Sequence, residues 1–253
     1  MKTIAIVPCK AKSERLPFKN TKRVGGATLV ERAVHVCDRA DLVVLATDSS
    51  EIAEAGMRMA EKVGVRAVHL ELDAELAGKR TQLEDVIAAA IERWPGDRYL
   101  LIQPTSPLRR RRHVASCLAL LEQTGCDSVV SVHQVTKDVY FAGDLEERTG
   151  RFTPWRMSGA GLADAAFGFW YGAAASCFLD ASLIGERRFT SELDKLVSEN
   201  GAVYAWTHAH WQRTGSRMGG DMRAMEMDPD EAIDIDTPQE LERAQRRFGW
   251  GAE

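Results

Sequence analysis

Short apolar runs alternate with amphipathic stretches along the first half of the chain. Most of these runs are rich in β-branched residues, as is typical of strands buried on both faces of a sheet. We predict strands at Ile4–Val7, Leu42–Ala46, Val65–Leu70, Tyr99–Gln103 and Ser128–His133. Apolar residues at helical spacing predict helices at Thr28–Ala40, Glu51–Val63, Thr81–Trp94 and His113–Gln123. Because the two element types alternate with short connections, we predict a doubly wound, mostly parallel α/β fold.

Local signals mark several helix ends. Gly64 is placed like a C-cap, and Thr81 with Glu84 has the spacing of a capping box. A C-terminal helix is predicted at Pro238–Arg247, with Thr237 as its N-cap, because proline is favoured in the first turn of a helix.

The regular alternation stops in the second half of the chain. From about 135 to 190, Gly, Trp and Phe occur in irregular order and the periodicity is weak. We therefore predict a single domain over 1–253 in which approximately 135–190 forms an inserted lobe, such as a hairpin arm used for dimer contacts. A further strand is predicted at Val203–Thr207.

The composition excludes several classes of protein. The chain has 253 residues, 45% of them hydrophobic, which suits one large domain whose core needs no disulfides. The net charge of −4 argues against a general nucleic-acid-binding protein. The five cysteines are odd in number and lack metal-type spacing, so we expect free thiols in a reducing cytoplasm. We expect neither a signal peptide nor a membrane span, because no apolar run approaches the roughly 18 residues of a span.

A basic loop follows the first predicted strand. The stretch Pro8–Asn20 contains Lys10, Lys12, Arg15 and Lys19. In doubly wound sheets, ligands bind beyond the carboxyl ends of the strands, where such a loop lies. Lysine side chains and backbone N–H groups there can bind phosphate groups, although the loop has no Walker pattern. The alternative is a solvated basic surface loop.

A proline-flanked segment follows the fourth predicted strand. The run 101–112 reads LIQPTSPLRRRR, and its prolines restrict the backbone so that Gln103 would present a rigid amide above the sheet edge. The alternative is a simple turn from strand to helix. For Arg110–Arg112 we favour the solvated face of a helix, because charge runs are usually solvated.

Two carboxylates lie near the C-terminus. Asp234 and Asp236 are two residues apart in an extended-looking segment, so their side chains point to the same side. Neighbouring carboxylates repel unless a cation lies between them, and Mg²⁺ is the cation that proteins share with substrate phosphates. The alternative is an aspartate N-cap beside a surface aspartate.

Together these segments resemble the CMP-sialic acid synthetases (acylneuraminate cytidylyltransferases), which couple CTP to a nine-carbon sugar acid. In that family the first loop reads approximately Pro-Ala-Arg-x-x-Ser-x-x-Leu-Pro-x-Lys-Asn, and Pro8–Asn20 follows this pattern with Lys10 in place of Arg. Further motifs match at Ala46–Ser49, Leu101–Arg109 and Asp234–Thr237. The likeness covers about residues 3–133 and 225–245, and it implies a Rossmann-like nucleotidyltransferase fold with an inserted dimerisation lobe.

The resemblance implies a role for each segment. The residues that would bind nucleotide are Lys10, Ser13, Arg15, Lys19, Asn20 and Asp48. Asp234 and Asp236 would bind Mg²⁺, and Lys19 with Asp236 would carry the catalysis. The metal would polarise the α-phosphate and neutralise charge on the departing pyrophosphate.

The chain departs from the family at both substrate sides. The family's nucleotide-binding Arg is replaced near Leu72–Asp73, and Arg80 is the candidate to compensate. A family Lys corresponds to Tyr140–Phe141, and the family's Asn-Gly-Ala-Ile-Tyr segment is placed at Phe167–Tyr171. The acceptor-binding candidates are therefore Gln103, Phe167 and Tyr171, with Lys137, Arg156 or Arg217 as a replacement anion contact.

These residues predict a Mg²⁺-dependent cytidylyltransferase that couples CTP to an acidic acceptor, such as a sialic-acid-like nonulosonic acid. The alternatives are activation of a smaller acid such as a phosphonate, a nucleotidyltransferase of the same fold with another nucleotide, and a non-catalytic binding subunit. The resemblance also implies a homodimer in which the partner's arm completes the acceptor site.

Overall fold

A computed structural model of the chain describes residues 1–13, 15–78, 81–134, 143–146, 151–154 and 197–249. The chain divides into two compact units, Met1–Val132 with Glu199–Glu253 and, separately, His133–Ser198. In the second unit, the described residues include an antiparallel hairpin in which Gly143 pairs with Pro154 and Glu146 with Arg151. The lobe expected at 135–190 largely coincides with this unit, and its role in dimer contacts stays a prediction.

The described residues form eleven strands and six α-helices. The strands are β1 (Thr3–Pro8), β2 (Arg23–Val24), β3 (Ala27–Thr28), β4 (Leu42–Thr47), β5 (Ala67–Glu71), β6 (Arg98–Leu101), β7 (Ser128–Gln134), β8 (Gly143–Glu146), β9 (Arg151–Pro154), β10 (Val197–Thr207) and β11 (Met222–Met227). The helices are α1 (Leu29–His35), α2 (Ser50–Val63), α3 (Leu83–Arg93), α4 (Arg111–Thr124), α5 (His208–Thr214) and α6 (Pro238–Gly249), with a 3₁₀ turn at Lys19–Thr21.

Seven of the described strands form one sheet in the order β11-β7-β10-β6-β1-β4-β5. Strands β6, β1, β4 and β5 pair in parallel, whereas β10 runs antiparallel to β6, with Tyr204 opposite Leu101. The carboxyl ends of the parallel strands therefore share one edge with the amino-terminal end of β10. The predicted doubly wound, mostly parallel α/β fold is confirmed, although β11 was not predicted and β10 is longer than the expected Val203–Thr207.

Two of the apolar clusters in this unit position the candidate site. The larger one packs against one face of the sheet and contains Val7, Leu45 and Leu100, none of which is exposed. The smaller one lies under the loops at the carboxyl edge and contains Leu16, Val24, Leu29, Leu108, Ile233, Ile235 and Ala244. Because its members come from both ends of the chain, burial of this cluster brings the loop after β1 together with the segment before α6.

The helix boundaries show which local signals dominate. The Gly64 C-cap is confirmed by its left-handed φ of 74°. The predicted Thr81 cap is wrong, because α3 begins at Leu83 behind a Gln82–Asp85 capping box and the Thr81 hydroxyl donates to the Glu75 carbonyl instead. Helix α1 ends at His35 rather than Ala40, since Val36 leaves the helical conformation.

In the described part of the chain, no helix combines the length and the apolar character that crossing a bilayer requires.

The cysteines are packed into the protein. Cys9, Cys37, Cys117 and Cys126 are buried free thiols, as predicted, and Cys177 lies outside the described residues. Burial raises the pKa of both the Cys9 and the Cys37 thiol to about 12, because a thiolate would lose its solvation there.

Candidate active site

The basic loop and the aspartate pair meet at the carboxyl edge of the sheet. Lys19 Nζ donates to Asp236 Oδ1 at 2.9 Å, and Arg15 Nη2 lies 2.8 Å from Asp236 Oδ2. The Lys19 side chain is 16% exposed, and that of Arg15 is 70% exposed. The structure thus brings together the predicted phosphate-binding cations and one of the predicted metal ligands.

Hydrogen bonds within the protein shape the loop after β1. Asn20 is buried, and its Nδ2 donates to the Lys10 carbonyl at 2.8 Å. Asp48 Oδ1, at the end of β4, accepts the Ala11 N–H at 2.6 Å. Both side chains were predicted to bind nucleotide, and in the structure both support the loop that presents Lys19. Lys10 Nζ donates to the Gly78 carbonyl at 3.1 Å, and Ser13 lies partly buried in the same loop.

The aspartate pair lies in an irregular segment with no regular strand. Ile233 and Ile235 are buried in the smaller apolar cluster, so the alternating aspartates point away from it. The Ile235 N–H donates to the Thr105 carbonyl at 2.8 Å, which attaches the segment to the loop after β6. At its end, Glu240 accepts the N–H groups of Asp236 and Thr237, each at 2.8 Å, and so completes the capping box of α6.

The two aspartates differ in their electrostatic surroundings. The pKa of Asp234 is raised, mainly because surrounding protein atoms desolvate the carboxyl group, and additionally by the nearby Asp236 charge. Lys19 and the Thr105 hydroxyl act in the opposite direction, although that hydroxyl makes no hydrogen bond of ordinary geometry. Asp234 is exposed at the surface, so its carboxylate can reach a cation from solvent.

The arginine run Arg110–Arg112 after β6 lies largely at the surface, as expected, but two of its residues also pair with a carboxylate. Arg110 Nε lies 2.7 Å from Glu231 Oε1, and Arg112 Nη2 donates to Glu231 Oε2. His113 Nε2 is 3.2 Å from the same carboxylate, while its Nδ1 accepts the Arg110 N–H. Glu231 precedes the aspartate pair by three residues, so these contacts attach the segment to the start of α4.

A second group of polar residues was missed by the sequence analysis. Asn200 Oδ1 accepts the Ser131 hydroxyl at 2.6 Å and the Ala202 N–H at 3.1 Å, and Ser131 Oγ accepts the Val203 N–H at 2.8 Å. These contacts fix the orientation of the Asn200 amide, because a flipped amide would place its NH₂ group against the Ala202 N–H, and both are donors. The buried Nδ2 of Asn200 has no hydrogen-bond partner within the described ranges.

Asn200 lies close to the predicted acceptor residue Gln103. The next residue, Gly201, has a φ of 72° and lies against the Gln103 side chain. A Cβ at Gly201 would lie 3.4 Å from Gln103 Oε1. The segment Asn200–Tyr204 reads Asn-Gly-Ala-Val-Tyr, which matches four of the five positions of the family's Asn-Gly-Ala-Ile-Tyr segment. That motif was the signal that could have identified Asn200.

Most of the remaining predicted site residues cannot be located in the structure. Arg80, Lys137, Arg156, Phe167 and Tyr171 lie outside the described residues. Arg217 is described, but it is already paired with Glu84 and lies 4.7 Å from the centroid of the Tyr204 ring. It is therefore not a free cation for an acceptor.

The chain is similar in sequence to known cytidylyltransferases. The sequence profile of a family described as cytidylyltransferase matches residues 4–146. The chain is 28% identical over 148 residues to CMP-N,N'-diacetyllegionaminic acid synthase of Legionella pneumophila, a match that covers 54% of this chain and 60% of that protein. It is 25% identical over 243 residues to an N-acylneuraminate cytidylyltransferase of Streptococcus agalactiae, covering 94% of this chain and 51% of that protein. The matches thus span little more than half the length of these relatives.

The fold also has solved counterparts. A structure of CMP:2-keto-3-deoxy-manno-octonic acid synthetase complexed with CTP superposes with a TM-score of 0.63 at 15% identity. The superposition covers 99% of each chain. At this identity the likeness establishes a shared fold and no more.

Proposed function

We propose that this chain, which belongs to the cytidylyltransferase family, is an enzyme. It would transfer the cytidylyl group of CTP to an acidic acceptor and release pyrophosphate. The family match confirms the resemblance inferred from the sequence motifs. The acceptor that we favour is a sialic-acid-like nonulosonic acid.

The observation that carries this proposal is the pairing of Lys19 and Arg15 with Asp236. The two cations lie at the edge where doubly wound sheets bind ligands, and their present partner is an anion on a loop. A nucleoside triphosphate can replace that carboxylate, because its phosphate oxygens are also good acceptors for ammonium and guanidinium groups. Lys10 lies on the same loop and would add a third cation for the phosphates.

The aspartate pair fits a magnesium ion that is shared with the nucleotide. Among the described residues, no three His, Cys, Asp or Glu side chains cluster closely enough to hold a metal. Proteins commonly bind Mg²⁺ through one or two carboxylates together with substrate phosphates, and Asp234 with Asp236 supplies that number. When bound, the ion would neutralise charge on the phosphates.

The remaining steps depend on positioning. An acceptor oxygen attacks the α-phosphorus, a new P–O bond forms, and the bond to pyrophosphate breaks. Lys19 and Arg15 would stabilise the charge that develops on the leaving pyrophosphate, and the rigid loop after β6 would orient the acceptor. Freed from Lys19 and Arg15, the Asp236 carboxylate becomes available as a ligand.

The acceptor side favours a carboxylic sugar acid over a phosphonate. The side chains described there, Gln103 and Asn200, are neutral amides, and the Asn200 Nδ2 donor has no hydrogen-bond partner in the part of the chain that the structure describes. Amides suit the single charge and the hydroxyl groups of a sugar acid, whereas a phosphonate dianion calls for cations. The motif on which the choice of Phe167 and Tyr171 as acceptor contacts was based matches Asn200–Tyr204 better, so these two residues stay a prediction without that support. A homodimer remains the predicted assembly.

The test is a pyrophosphate-release assay with Mg²⁺ and each of CTP, UTP, GTP and ATP. The acceptors are sialic, legionaminic, pseudaminic and deaminated sialic acids, together with small phosphonates. We expect release with CTP and at least one nonulosonic acid, and none in excess EDTA. Release with a phosphonate alone, or with another nucleotide alone, would support the corresponding alternative. Nucleotide binding without release for every acid would contradict the proposal.

A further inference from the structure

Arg109 is a buried cation on the loop after β6. The residue is 3% exposed, and its Nη1 donates to the carbonyl of Gln103 at 2.9 Å and to that of Ala202 at 2.8 Å. No carboxylate among the described residues forms an ion pair with it, and its buried Nε has no hydrogen-bond partner there. Burial lowers the pKa of Arg109 to about 10, so the side chain is protonated at neutral pH.

The two carbonyls belong to residues that would face each other across the sheet. Strands β6 and β10 pair antiparallel up to Tyr204 opposite Leu101, and two residues further on Ala202 would oppose Gln103. The ladder ends before that point, where Gly201 adopts its positive φ. The Arg109 guanidinium therefore supplies the hydrogen bonds that the interrupted ladder no longer makes.

Each of the two carbonyls that Arg109 binds is connected to one of the acceptor-side amides, Gln103 or Asn200. One is the backbone carbonyl of Gln103 itself. The other belongs to Ala202, whose N–H donates to Asn200 Oδ1. We infer that Arg109 is a positioning residue that fixes the Gln103 and Asn200 amides relative to each other from inside the protein. What those amides bind rests on the proposed function; their mutual placement does not.

The cost of burial supports this role over simple packing. A buried charge without a counter-ion is destabilising, and an apolar side chain of similar length would fill the same space without that penalty. Arg109 offsets the cost with charge-assisted hydrogen bonds to two backbone segments. A lysine keeps the charge but has no planar guanidinium, so it should restore the geometry only in part.

The first test is a double-mutant cycle on kinetics. We expect Arg109→Met to raise the acceptor KM by roughly 10- to 50-fold while the CTP KM changes by less than about 2-fold, with Arg109→Lys intermediate. In a Gln103→Ala background, Arg109→Met should raise the acceptor KM by less than about 3-fold, because the shared interaction is already lost. Independent effects that multiply, or equal increases in both KM values, would overturn the inference.

Arg32, on helix α1, is a matched control because its guanidinium contacts the same loop. Arg32 Nε donates to the Pro107 carbonyl at 2.7 Å, and its Nη1 donates to the Val24 carbonyl at 3.2 Å, but it contacts neither Gln103 nor β10 in the described residues. Arg32→Met should lower the melting temperature and leave the acceptor KM within about 2-fold of wild type. An equal rise in acceptor KM in this variant would show that loss of loop stability alone explains the effect.

The second test does not require turnover. The side-chain NH₂ signals of Gln103 and Asn200 can be assigned in ¹⁵N–¹H spectra from Gln103→Ala and Asn200→Ala, and both should shift or broaden in Arg109→Lys but stay in place in Arg32→Met. Arg109→Lys serves here in case the methionine variant does not fold. Unmoved signals would refute the inference whatever the activity. Moved signals in a protein that releases no pyrophosphate would leave it standing while the proposed function fails.

Discussion

The proposed nucleotide side, around Lys19, Arg15 and Asp236, and the proposed acceptor side, around Gln103 and Asn200, are built by different physical means. On the nucleotide side, charged groups in loops pair with one another at the surface: Arg15 is 70% exposed and Asp236 is 27% exposed. On the acceptor side, the neutral amide of Asn200 is held by Ser131, and both residues are buried. The first arrangement can exchange partners, and the second is fixed before any ligand arrives.

The energies follow the same division. Exposed ion pairs contribute about 0–1 kcal/mol, so a charged ligand can replace them at little cost. A buried donor or acceptor that loses its partner costs about 1–3 kcal/mol, so the amides resist rearrangement. We therefore expect changes on the nucleotide side to affect ligand binding, and changes on the acceptor side to affect both specificity and stability.

The largest expected effect is at Asp236. Asp236→Asn should lower kcat by roughly 100- to 1000-fold, since the residue is a proposed metal ligand at the reacting phosphates. Binding of CTP without metal should be unchanged or tighter by calorimetry, because Lys19 and Arg15 lose their competing carboxylate. Undiminished turnover would show that the metal assignment is wrong.

A charge placed on the acceptor side gives the next effect. Asn200→Asp replaces the NH₂ donor, which is unpaired within the described ranges, with a carboxylate, so the acceptor KM should rise about 10- to 100-fold while the CTP KM is unchanged. Gln123→Glu, on the exposed part of α4, is the charge-matched control. Equal increases in both KM values would place Asn200 outside the acceptor side.

The two cations of the nucleotide side should differ in strength. Lys19→Met should raise the CTP KM by about 10- to 100-fold, because it removes a partly buried charged donor worth roughly 1.5–3 kcal/mol. Arg15→Met, on the more exposed partner, should change it by less than about 5-fold. The reverse order in steady-state kinetics would contradict the geometry of this pair.

Ser131 tests the rigidity of the acceptor side. Ser131→Ala leaves Asn200 Oδ1 and the Val203 N–H short of a partner, so the free energy of unfolding should fall by about 1–3 kcal/mol. For a protein of this size, each kcal/mol lowers the melting temperature by roughly 2–4 °C. Ser116→Ala, at an exposed position of α4, should leave the melting temperature unchanged. If the Ser131→Ala protein were as stable as wild type, the hydrogen bonds of Ser131 to Asn200 and Val203 would not contribute to the free energy of unfolding.

The smallest effect concerns the buried thiols, which belong to neither side. Burial raises the pKa of Cys9 and Cys37 from 9.0 to about 12, so the folded state binds these protons more tightly. Their contribution to the free energy of unfolding should be constant below pH 9 and decline between pH 9 and about 12. With Cys177 replaced by Ser, a thiol reagent at pH 8 should label the native protein only as fast as it unfolds. Fast labelling would contradict the burial.

The sequence analysis singled out the charged residues that meet around Lys19 and missed Asn200, for a physical reason. Charged motifs such as Pro8–Asn20 and Asp234–Asp236 stand out because charges at the carboxyl edge of a sheet need an explanation. Asn200 is a single neutral residue within a strand, and its role depends on Ser131 and Gln103, which are distant in the chain. Its orientation follows from the tertiary structure alone, although the Asn-Gly-Ala-Val-Tyr motif was present as a signal.

The arginine run shows the same limit of sequence reasoning. Arg110 and Arg112 were expected in solvent because charge runs are usually solvated, and no local signal pointed to the carboxylate that they pair with. Their partner Glu231 is separated from Arg112 by 119 positions and reaches it through the fold. The alternating strands and helices, by contrast, were predictable, because their periodicity is a local property of the chain.

The contact between Lys19 and Asp236 joins residues separated by 217 positions. During synthesis, the loop after β1 emerges long before its acidic partner exists. The proposed nucleotide site therefore cannot assemble before Asp236 has been synthesised, and a chain truncated before Asp236 would leave these cations without their carboxylate. Magnesium-dependent nucleotide binding should accordingly report completion of folding, because it requires both ends of the unit to be in place.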